Sequence, residues 1–327
     1  MDKKTILAII LITLVVTISM VIQGTMYSRE TATANSTETE QTVNETTATT
    51  SASEAAKSME FVVASTNQSA EKFFLETDLY RIEFDPVGAS ISSLILKEHF
   101  DADGEGVDLI FKGEDDSNAF LMYWGDGRSN PILDTFSYAV EGNKVVFMNN
   151  YTASSGENFT VVKTFEFKDG EYLFAVTVDI VGDEKFQGLS GEYAYTLAYE
   201  PQVGPAFTQM KNNAYDYRRV YIDAYNNKGK LKKSQAKLSN GEFYTKSQLQ
   251  WISVTGKYFM VVALPEDNTI AYKYTATRGS TSSVVQTDSL FVSVPTTKGS
   301  SSNTIYFYAG PQLKKYLGSG IEVDCVA

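Results

Sequence analysis

An uncharged apolar segment near the amino terminus, Thr5–Ile22, limits where the rest of this 327-residue chain can lie. The segment holds twelve Ile, Leu and Val residues. As a helix it would be about 27 Å long, close to the roughly 30 Å hydrocarbon core of a bilayer. These twelve residues favour insertion by about 4 to 7 kcal/mol in total. We therefore predict a transmembrane anchor helix over residues 5–23, with the membrane-embedded side chains Ile6, Leu7, Ile10, Leu14, Ile18 and Ile22.

The charges around this segment predict its orientation. Lys3 and Lys4 precede it, whereas the first basic residue after it is Arg29. Because positive residues stay on the cytoplasmic side, we expect residues 1–4 in the cytoplasm and the rest of the chain outside. A cleaved signal peptide is the alternative, but the small-residue triplet Ala32–Ala34 lies about ten residues beyond the apolar segment, too far for a usual cleavage site. We favour an uncleaved anchor.

Residues 24–60 differ sharply from the anchor in composition. They are rich in Thr, Ser, Ala and Glu and contain few large apolar side chains. Such a segment cannot bury enough apolar surface to offset the entropy lost on ordering it. We predict a disordered tether that separates the membrane from a folded domain.

The composition of the whole chain favours β-structure in that domain. Aromatic residues make up 13% of the chain, with 20 Tyr and 19 Phe, and aromatic side chains are enriched in strands. The net charge of −12 argues against nucleic-acid binding and against general adhesion to anionic lipid. Cys325 is the only cysteine, so an internal disulfide is excluded, and its separation in sequence from the only histidine disfavours a catalytic thiol.

The clearest strand pattern is a hairpin over Phe159–Val181. Asp169-Gly170 supplies residues that tolerate the positive φ of a tight turn. Before the turn, Val161, Lys163, Phe165 and Phe167 alternate with Val162, Thr164 and Glu166. After it, five apolar side chains point to one face: Tyr172, Phe174, Val176, Val178 and Ile180. An apolar face of this size requires a second layer to cover it.

Similar runs recur along the chain and give about fifteen strands, with no useful helical period before Gly310. The prediction is a large two-layer antiparallel β-sandwich over residues 61–310. A short C-terminal helix or linker is expected over residues 311–327. With the anchor in front, the fold class is therefore mainly β.

Two patterns suggest ligand chemistry, and each has a simpler interpretation. His99, the only histidine, lies at a predicted strand end beside acidic residues, which favours a solvated loop residue. Asp101, Asp103 and Glu105, followed by Gly106, fit the first half of a calcium loop. Lys112 stands where that loop needs a bidentate Glu, so an ordinary acidic loop is favoured. We expect no cofactor and no catalytic residue.

One basic concentration stands out in this acidic chain. A solvated loop is its simplest interpretation, and the sharper hypothesis is a contact with lipid head groups or with an acidic partner. The residues concerned are Arg218, Arg219, Lys228, Lys230, Lys232, Lys233 and Lys237.

The order of several segments resembles the YidC membrane protein insertases of Gram-negative bacteria. The anchor and polar tether come first. They are followed by ETDLYRIEFDPVGASISSLIL (residues 76–96), TFEFKDGEYLFAVTVDIV (164–181), WISVTGKYFMVVALP (251–265) and YFYAGPQLKKYL (306–317). No single segment is highly specific, but their order covers essentially the whole chain.

This resemblance implies a periplasmic β-super-sandwich similar to galactose mutarotases, leading through a short helix to a second membrane span. It also implies a non-catalytic domain in the bacterial inner membrane that supports the insertase. The implied partners are nascent inner-membrane proteins, Sec translocase components and the lipid bilayer, with no nucleic acid. The insertase activity of the family resides in later spans that this sequence does not contain, so we do not expect this polypeptide to insert proteins by itself.

Two other hypotheses stay open at this point. The first is a membrane-anchored carbohydrate-binding or mutarotase-like protein, which would need aromatic platforms and a His or carboxylate acting as acid or base. The second is a stand-alone accessory protein that binds a translocase or chaperone.

Overall fold

The computed structural model describes residues 62–63, 70–111, 117–153, 155–205, 219–225, 228, 230–278 and 288–313. The predicted cytoplasmic residues 1–4, anchor 5–23 and tether 24–60 lie outside these ranges, together with Arg218, Lys112, Cys325 and residues 314–327 of the predicted C-terminal helix. Among the described residues, no helix is both long and apolar enough to cross a bilayer.

All regular elements in the described ranges are strands. The first eleven are β1 (Val62–Val63), β2 (Phe73–Glu76), β3 (Tyr80–Asp85), β4 (Ser90–Phe100), β5 (Gly106–Asp108), β6 (Ile110–Phe111), β7 (Leu121–Trp124), β8 (Ser137–Glu141), β9 (Lys144–Thr152), β10 (Asn158–Phe167) and β11 (Leu173–Gly182). The other ten are β12 (Tyr193–Tyr199), β13 (Gln202–Val203), β14 (Arg219–Tyr225), β15 (Leu231–Gln235), β16 (Glu242–Thr245), β17 (Leu249–Thr255), β18 (Phe259–Pro265), β19 (Lys273–Arg278), β20 (Asp288–Pro295) and β21 (Ser301–Pro311).

The strands form four antiparallel sheets. The largest has ten strands in the order β1-β9-β10-β11-β21-β18-β17-β14-β15, with β8 paired to β9. The others are β16-β19-β20-β12-β7, β2-β3-β4-β5 and the short pair β13-β6. The antiparallel prediction is confirmed, but the strands are distributed over four sheets and not over two.

The predicted hairpin Phe159–Val181 is confirmed as β10 and β11, which pair continuously from Phe159–Gly182 to Phe167–Phe174. The five side chains predicted to share one face after the turn, from Tyr172 to Ile180, are all buried. The structure shows that Val161, Lys163, Phe165 and Phe167 are buried as well. The estimate of fifteen strands was low. In β9 the sequence KVVFM places apolar residues on both faces, which hides the alternation that marks a strand.

Aromatic side chains join the layers in one continuous core. Phe84 of β3 lies 5.3 Å from Phe165 of β10 between ring centroids. Phe120, just before β7, lies 4.8 Å from Phe307 of β21 and 5.5 Å from Phe174 of β11. These edge-to-face contacts add to the stabilisation from buried apolar area.

Lys163 is a fully buried lysine within this core. Its Nζ donates to the carbonyl oxygen of Ala89 at 2.8 Å and to that of Phe120. Both of these residues have positive φ, +48° and +59° respectively, which is uncommon for residues with a Cβ. The lysine thus satisfies two buried carbonyls at two left-handed positions and joins β10 to the chain before β4 and β7.

The sandwich ends at the described carboxyl end of the chain. β21 includes Pro311, one residue past the predicted boundary. The backbone N–H of Gln312 then donates to the Tyr258 carbonyl oxygen at 2.8 Å. The Gln312 side chain donates to the carbonyl oxygens of Gly256 and Phe259. Leu313 is the last described residue, so the helix predicted beyond it stays a prediction.

Candidate interaction site

The predicted basic group lies on a hairpin at the edge of the ten-stranded sheet. β14 pairs with β15 from Tyr221–Gln235 to Tyr225–Leu231, and its other side pairs with β17. β15 is the last strand of the sheet order. Lys232 and Lys233 belong to the edge strand β15 and not to a loop, whereas Lys228, Lys230 and Lys237 lie in the exposed connections before and after it.

The structure divides the basic residues between the two ends of this hairpin. Arg219 pairs with Thr255 at one end of β14, and Lys237 follows Ala236, whose amide bonds to the Val220 carbonyl oxygen. The other end is about 20 Å away, given roughly 3.3 Å per strand residue. Lys228, Lys230 and Lys232 lie at that end, and all three are exposed.

Two exposed apolar residues lie beside these three lysines. Tyr225 and Leu231 form the last cross-strand pair of the hairpin, and 52% and 48% of their surfaces are exposed. Since directly paired residues point to the same face of a sheet, their side chains are neighbours. We call Tyr225, Leu231, Lys228, Lys230 and Lys232 the hairpin tip.

Lys233 has a different environment from the lysines of the hairpin tip. It lies opposite Asp223 in the ladder, and its Nζ is 5.3 Å from the Tyr221 ring centroid. Partial burial raises the pKa of Asp223, and the positive charge of Lys233 opposes that rise. Arg219 also donates to the Tyr221 hydroxyl at 3.2 Å. Lys233 and Arg219 thus contribute to packing within the hairpin.

The acidic loop between β4 and β5 does not gather its carboxylates. The Asp101 carboxylate accepts backbone N–H groups of Asp103 and Glu105 at 2.9 and 3.0 Å, so it closes the turn. Gly104 has a φ of +85°, which suits this tight connection. Across the described ranges, no three His, Cys, Asp or Glu side chains are arranged to hold a metal ion.

His99 is not a solvated loop residue, contrary to the prediction. It belongs to β4 and is half-buried, with its ring 6.2 Å from Tyr172 and 6.0 Å from Phe259 between centroids. The Tyr172 hydroxyl lies 3.4 Å from His99 Nδ1. These aromatic neighbours are distant in sequence and could not be identified from the local sequence Lys97–Phe100. Their packing gives the histidine a role in joining β4 to β18 and to the connection before β11.

Comparison with known proteins gives the fold and the hairpin their context. A family model described as "YidC periplasmic domain" matches residues 73–324. The chain belongs to the YidC family. This match confirms the resemblance and covers nearly all of the described strands.

Individual YidC relatives agree with this result. "Membrane protein insertase YidC" of Treponema denticola is 31% identical over 232 residues, which are 67% of this chain and 39% of the relative. The protein of the same name from Chlorobium phaeovibrioides is 24% identical over 257 residues, which are 75% and 43% of the two chains. The chain thus spans about two fifths of the length of these relatives.

A solved structure supports the predicted architecture of this YidC domain. A galactose mutarotase-like protein from Lactobacillus casei superposes with a TM-score of 0.50 and 10% identity, covering 74% of this chain and 100% of the other. At this identity the similarity establishes the mutarotase-like sandwich fold alone.

Sequence reasoning found the lysines of the hairpin tip but missed its apolar pair. β14 continues past Ile222 to Tyr225. The alternation of Tyr221, Asp223 and Tyr225 was the available signal. The pairing of Tyr225 with Leu231 depends on the turn between them, which composition alone does not define.

Proposed function

We propose that this chain is the anchor and periplasmic scaffold of a YidC-type insertase. The match of residues 73–324 to the YidC periplasmic domain carries the proposal. In this division, residues 1–4 are cytoplasmic, 5–23 cross the inner membrane, 24–60 form the tether, 61–310 form the sandwich and 311–327 lead toward a further span. The sandwich binds partners and performs no turnover.

The proposed partners are nascent inner-membrane proteins, Sec translocase components and the bilayer. Within a complete insertase, an amphiphilic groove formed by later spans would shorten the polar path of a nascent segment, whose own hydrophobicity would drive its release into lipid. The sandwich would contribute position and contacts. Its ten-stranded sheet is a rigid support for such contacts because its central strands are buried on one continuous core.

The mutarotase-like and accessory-protein hypotheses stay predictions. The first would need an acid or base in an accessible cleft, and His99 is held between Tyr172 and Phe259. Anomerisation of α-glucose by the purified chain above the uncatalysed rate would favour it over the scaffold proposal.

Membrane topology tests the anchor and the location of the sandwich. In a Cys325→Ser background, Leu133→Cys places a thiol on an exposed side chain of the sandwich and Lys4→Cys places one before the anchor. A membrane-impermeant maleimide should label the first in intact spheroplasts and the second only after lysis. The reverse pattern, or release of the chain by alkaline carbonate, would contradict the proposal. Ile10→Lys combined with Leu14→Lys should release the chain and serves as the control.

Partner binding requires a second measurement. A photo-crosslinking amino acid placed at Leu133 or at the exposed Tyr244 should form adducts with nascent membrane proteins or translocase subunits in cells. The absence of protein adducts at both surface positions, with membrane topology as predicted, would exclude these surfaces as contacts and weaken the scaffold proposal.

A further inference from the structure

The hairpin tip combines two kinds of side chain that a membrane surface attracts. Tyr225 and Leu231 expose about half of their surfaces at the last pair of the hairpin. Lys228, Lys230 and Lys232 lie next to this pair along the chain and are exposed, and Lys232 pairs with Ala224 in the adjacent rung of the ladder. Tyrosine places an apolar ring and a polar hydroxyl at the boundary between head groups and acyl chains, while lysine keeps its ammonium group in water as its stem covers apolar surface.

The charge of the tip contrasts with that of the protein. Three exposed lysines lie within five consecutive residues, 228–232, in a chain of net charge −12. In the field of an anionic surface, this asymmetry would turn the tip toward the surface and the rest of the domain away from it. The net negative charge argues against general adhesion to anionic lipid, but it is compatible with one local contact through the hairpin tip.

The small size of the tip favours lipid over a protein as its partner. A stable protein interface buries about 800 Å² on each side, which needs many more residues than the five that form the tip. A bilayer surface requires no matching shape, so a small amphipathic projection can bind it. Each lysine near an anionic surface strengthens binding roughly five-fold, and three together on the order of a hundred-fold.

We propose that the hairpin tip inserts into the interface of an anionic lipid leaflet and thereby orients the sandwich on the membrane. The contact itself follows from the tip and does not require the anchor. Its role in the cell rests on the proposed function, because the anchor would hold the sandwich near the bilayer and make a weak contact effectively intramolecular.

The test compares two labelled positions in the full chain. An environment-sensitive fluorophore is attached to Leu231→Cys, or to Tyr244→Cys as control, in a Cys325→Ser background. Tyr244 is a matched site because it is 67% exposed on β16, the edge strand of the five-stranded sheet. Each protein is reconstituted into phosphatidylcholine vesicles with or without phosphatidylglycerol, and nitroxide-labelled lipid serves as quencher.

We expect a blue shift and strong quenching at position 231 only when phosphatidylglycerol is present. Position 244 should respond in neither lipid mixture. High salt should reverse the response at 231, because it screens the attraction between exposed charges. Lys228→Glu, Lys230→Glu and Lys232→Glu combined should abolish it, whereas Lys168→Glu on a distant turn should not.

Equal behaviour of positions 231 and 244, or a response at 231 that survives the triple charge reversal, would overturn the proposal. If the lysines serve only to keep the edge strand from pairing with other chains, positions 231 and 244 would behave equally. A response to polyglutamate but not to phosphatidylglycerol would also overturn it and indicate an acidic protein partner. The maleimide topology experiment reports on the anchor separately, so failure of the proposed function and failure of this contact are distinguishable.

Discussion

The central strands and the edge hairpin of the ten-stranded sheet have opposite characters. β10 and β11 have neighbouring strands on both sides and direct into the core a face that is apolar except for Lys163. The β14–β15 hairpin ends in exposed Tyr225 and Leu231, with lysines around them. This difference shows that folding and recognition can reside in different regions of one sheet. The central strands form the core, and the edge hairpin can carry interaction residues with little loss of stability.

The largest expected effect would come from removing the aromatic ring that joins the layers. Phe120 is fully buried and contacts the rings of Phe165, Phe174, Tyr199 and Phe307. Phe120→Ala should lower the free energy of unfolding by about 3 to 5 kcal/mol, since it leaves a cavity in a packed core. Urea unfolding, followed by tryptophan fluorescence, measures this change.

The matched control is Phe100→Ala, at the end of β4, where 63% of the phenylalanine is exposed. Its effect should stay within about 0.5 kcal/mol, as for most surface substitutions. Similar losses for the two variants would contradict the assignment of Phe120 to the centre of the core.

Lys163→Met should have the next largest effect. The substitution keeps the buried stem but removes the donor to the carbonyl oxygens of Ala89 and Phe120. Each orphaned buried acceptor costs about 1 to 3 kcal/mol, partly offset because no amine has to be desolvated. We expect a net loss of about 2 to 4 kcal/mol in urea unfolding, against almost none for Lys168→Met. A more stable Lys163→Met variant would show that burial of the amine outweighs its hydrogen bonds.

The same residue predicts a pH dependence. Burial lowers the pKa of Lys163 well below the ordinary 10.5. Between the lowered pKa and 10.5 the unfolded chain binds more protons, so the free energy of unfolding should rise with pH in that window. The difference in stability between the parent protein and Lys163→Met should therefore increase as pH rises toward 10.5 and stay level below the lowered pKa. A level difference throughout would contradict the buried position of this amine.

Buried tyrosines impose the opposite trend at higher pH. Burial raises the pKa of Tyr80 and Tyr195 well above 10 and that of Tyr272 to about 12. Their contribution is complete below pH 10 and is lost as pH rises through the raised values. The parent protein and Lys163→Met share this loss of stability, so it cancels from the difference between their free energies of unfolding.

The smallest effect on stability is expected at the hairpin tip. Lys228→Glu, Lys230→Glu and Lys232→Glu combined should change the free energy of unfolding without lipid by less than about 1 kcal/mol, because exposed charges contribute little. Tyr225→Ser should be similarly mild. A loss comparable to that of Lys163→Met would place the tip in the folded core and weaken the contrast between edge and centre.

The central strands were predictable because their information is local. The alternation around Asp169-Gly170 located β10 and β11. The carbonyl partners of Lys163 were not predictable, since they lie 74 and 43 residues away in sequence. His99 was misjudged for the same reason. Its acidic sequence neighbours suggested solvent, whereas its ring packs against Tyr172 and Phe259, which are distant in sequence.

The candidate site was predictable only as a composition. Clustered lysines indicated a basic region, but the sequence did not show that about 20 Å of β14 separates Arg219 from the hairpin tip. The register of β14 and β15 determines which residues lie at the same end of the hairpin and which form cross-strand pairs, such as Lys233 and Asp223. Register depends on pairing with β17, which lies further along the chain.

Hydrogen exchange on the full chain, reconstituted with and without phosphatidylglycerol, tests the contrast between the central strands and the edge hairpin most directly. We expect amides in β10 and β11 to exchange slowly and equally in both lipids, since they open only with the whole core. Amides in β14 and β15 should exchange faster in neutral lipid and become protected when phosphatidylglycerol is present. Unchanged exchange in the hairpin, or a lipid-dependent change in β10 and β11, would contradict the account.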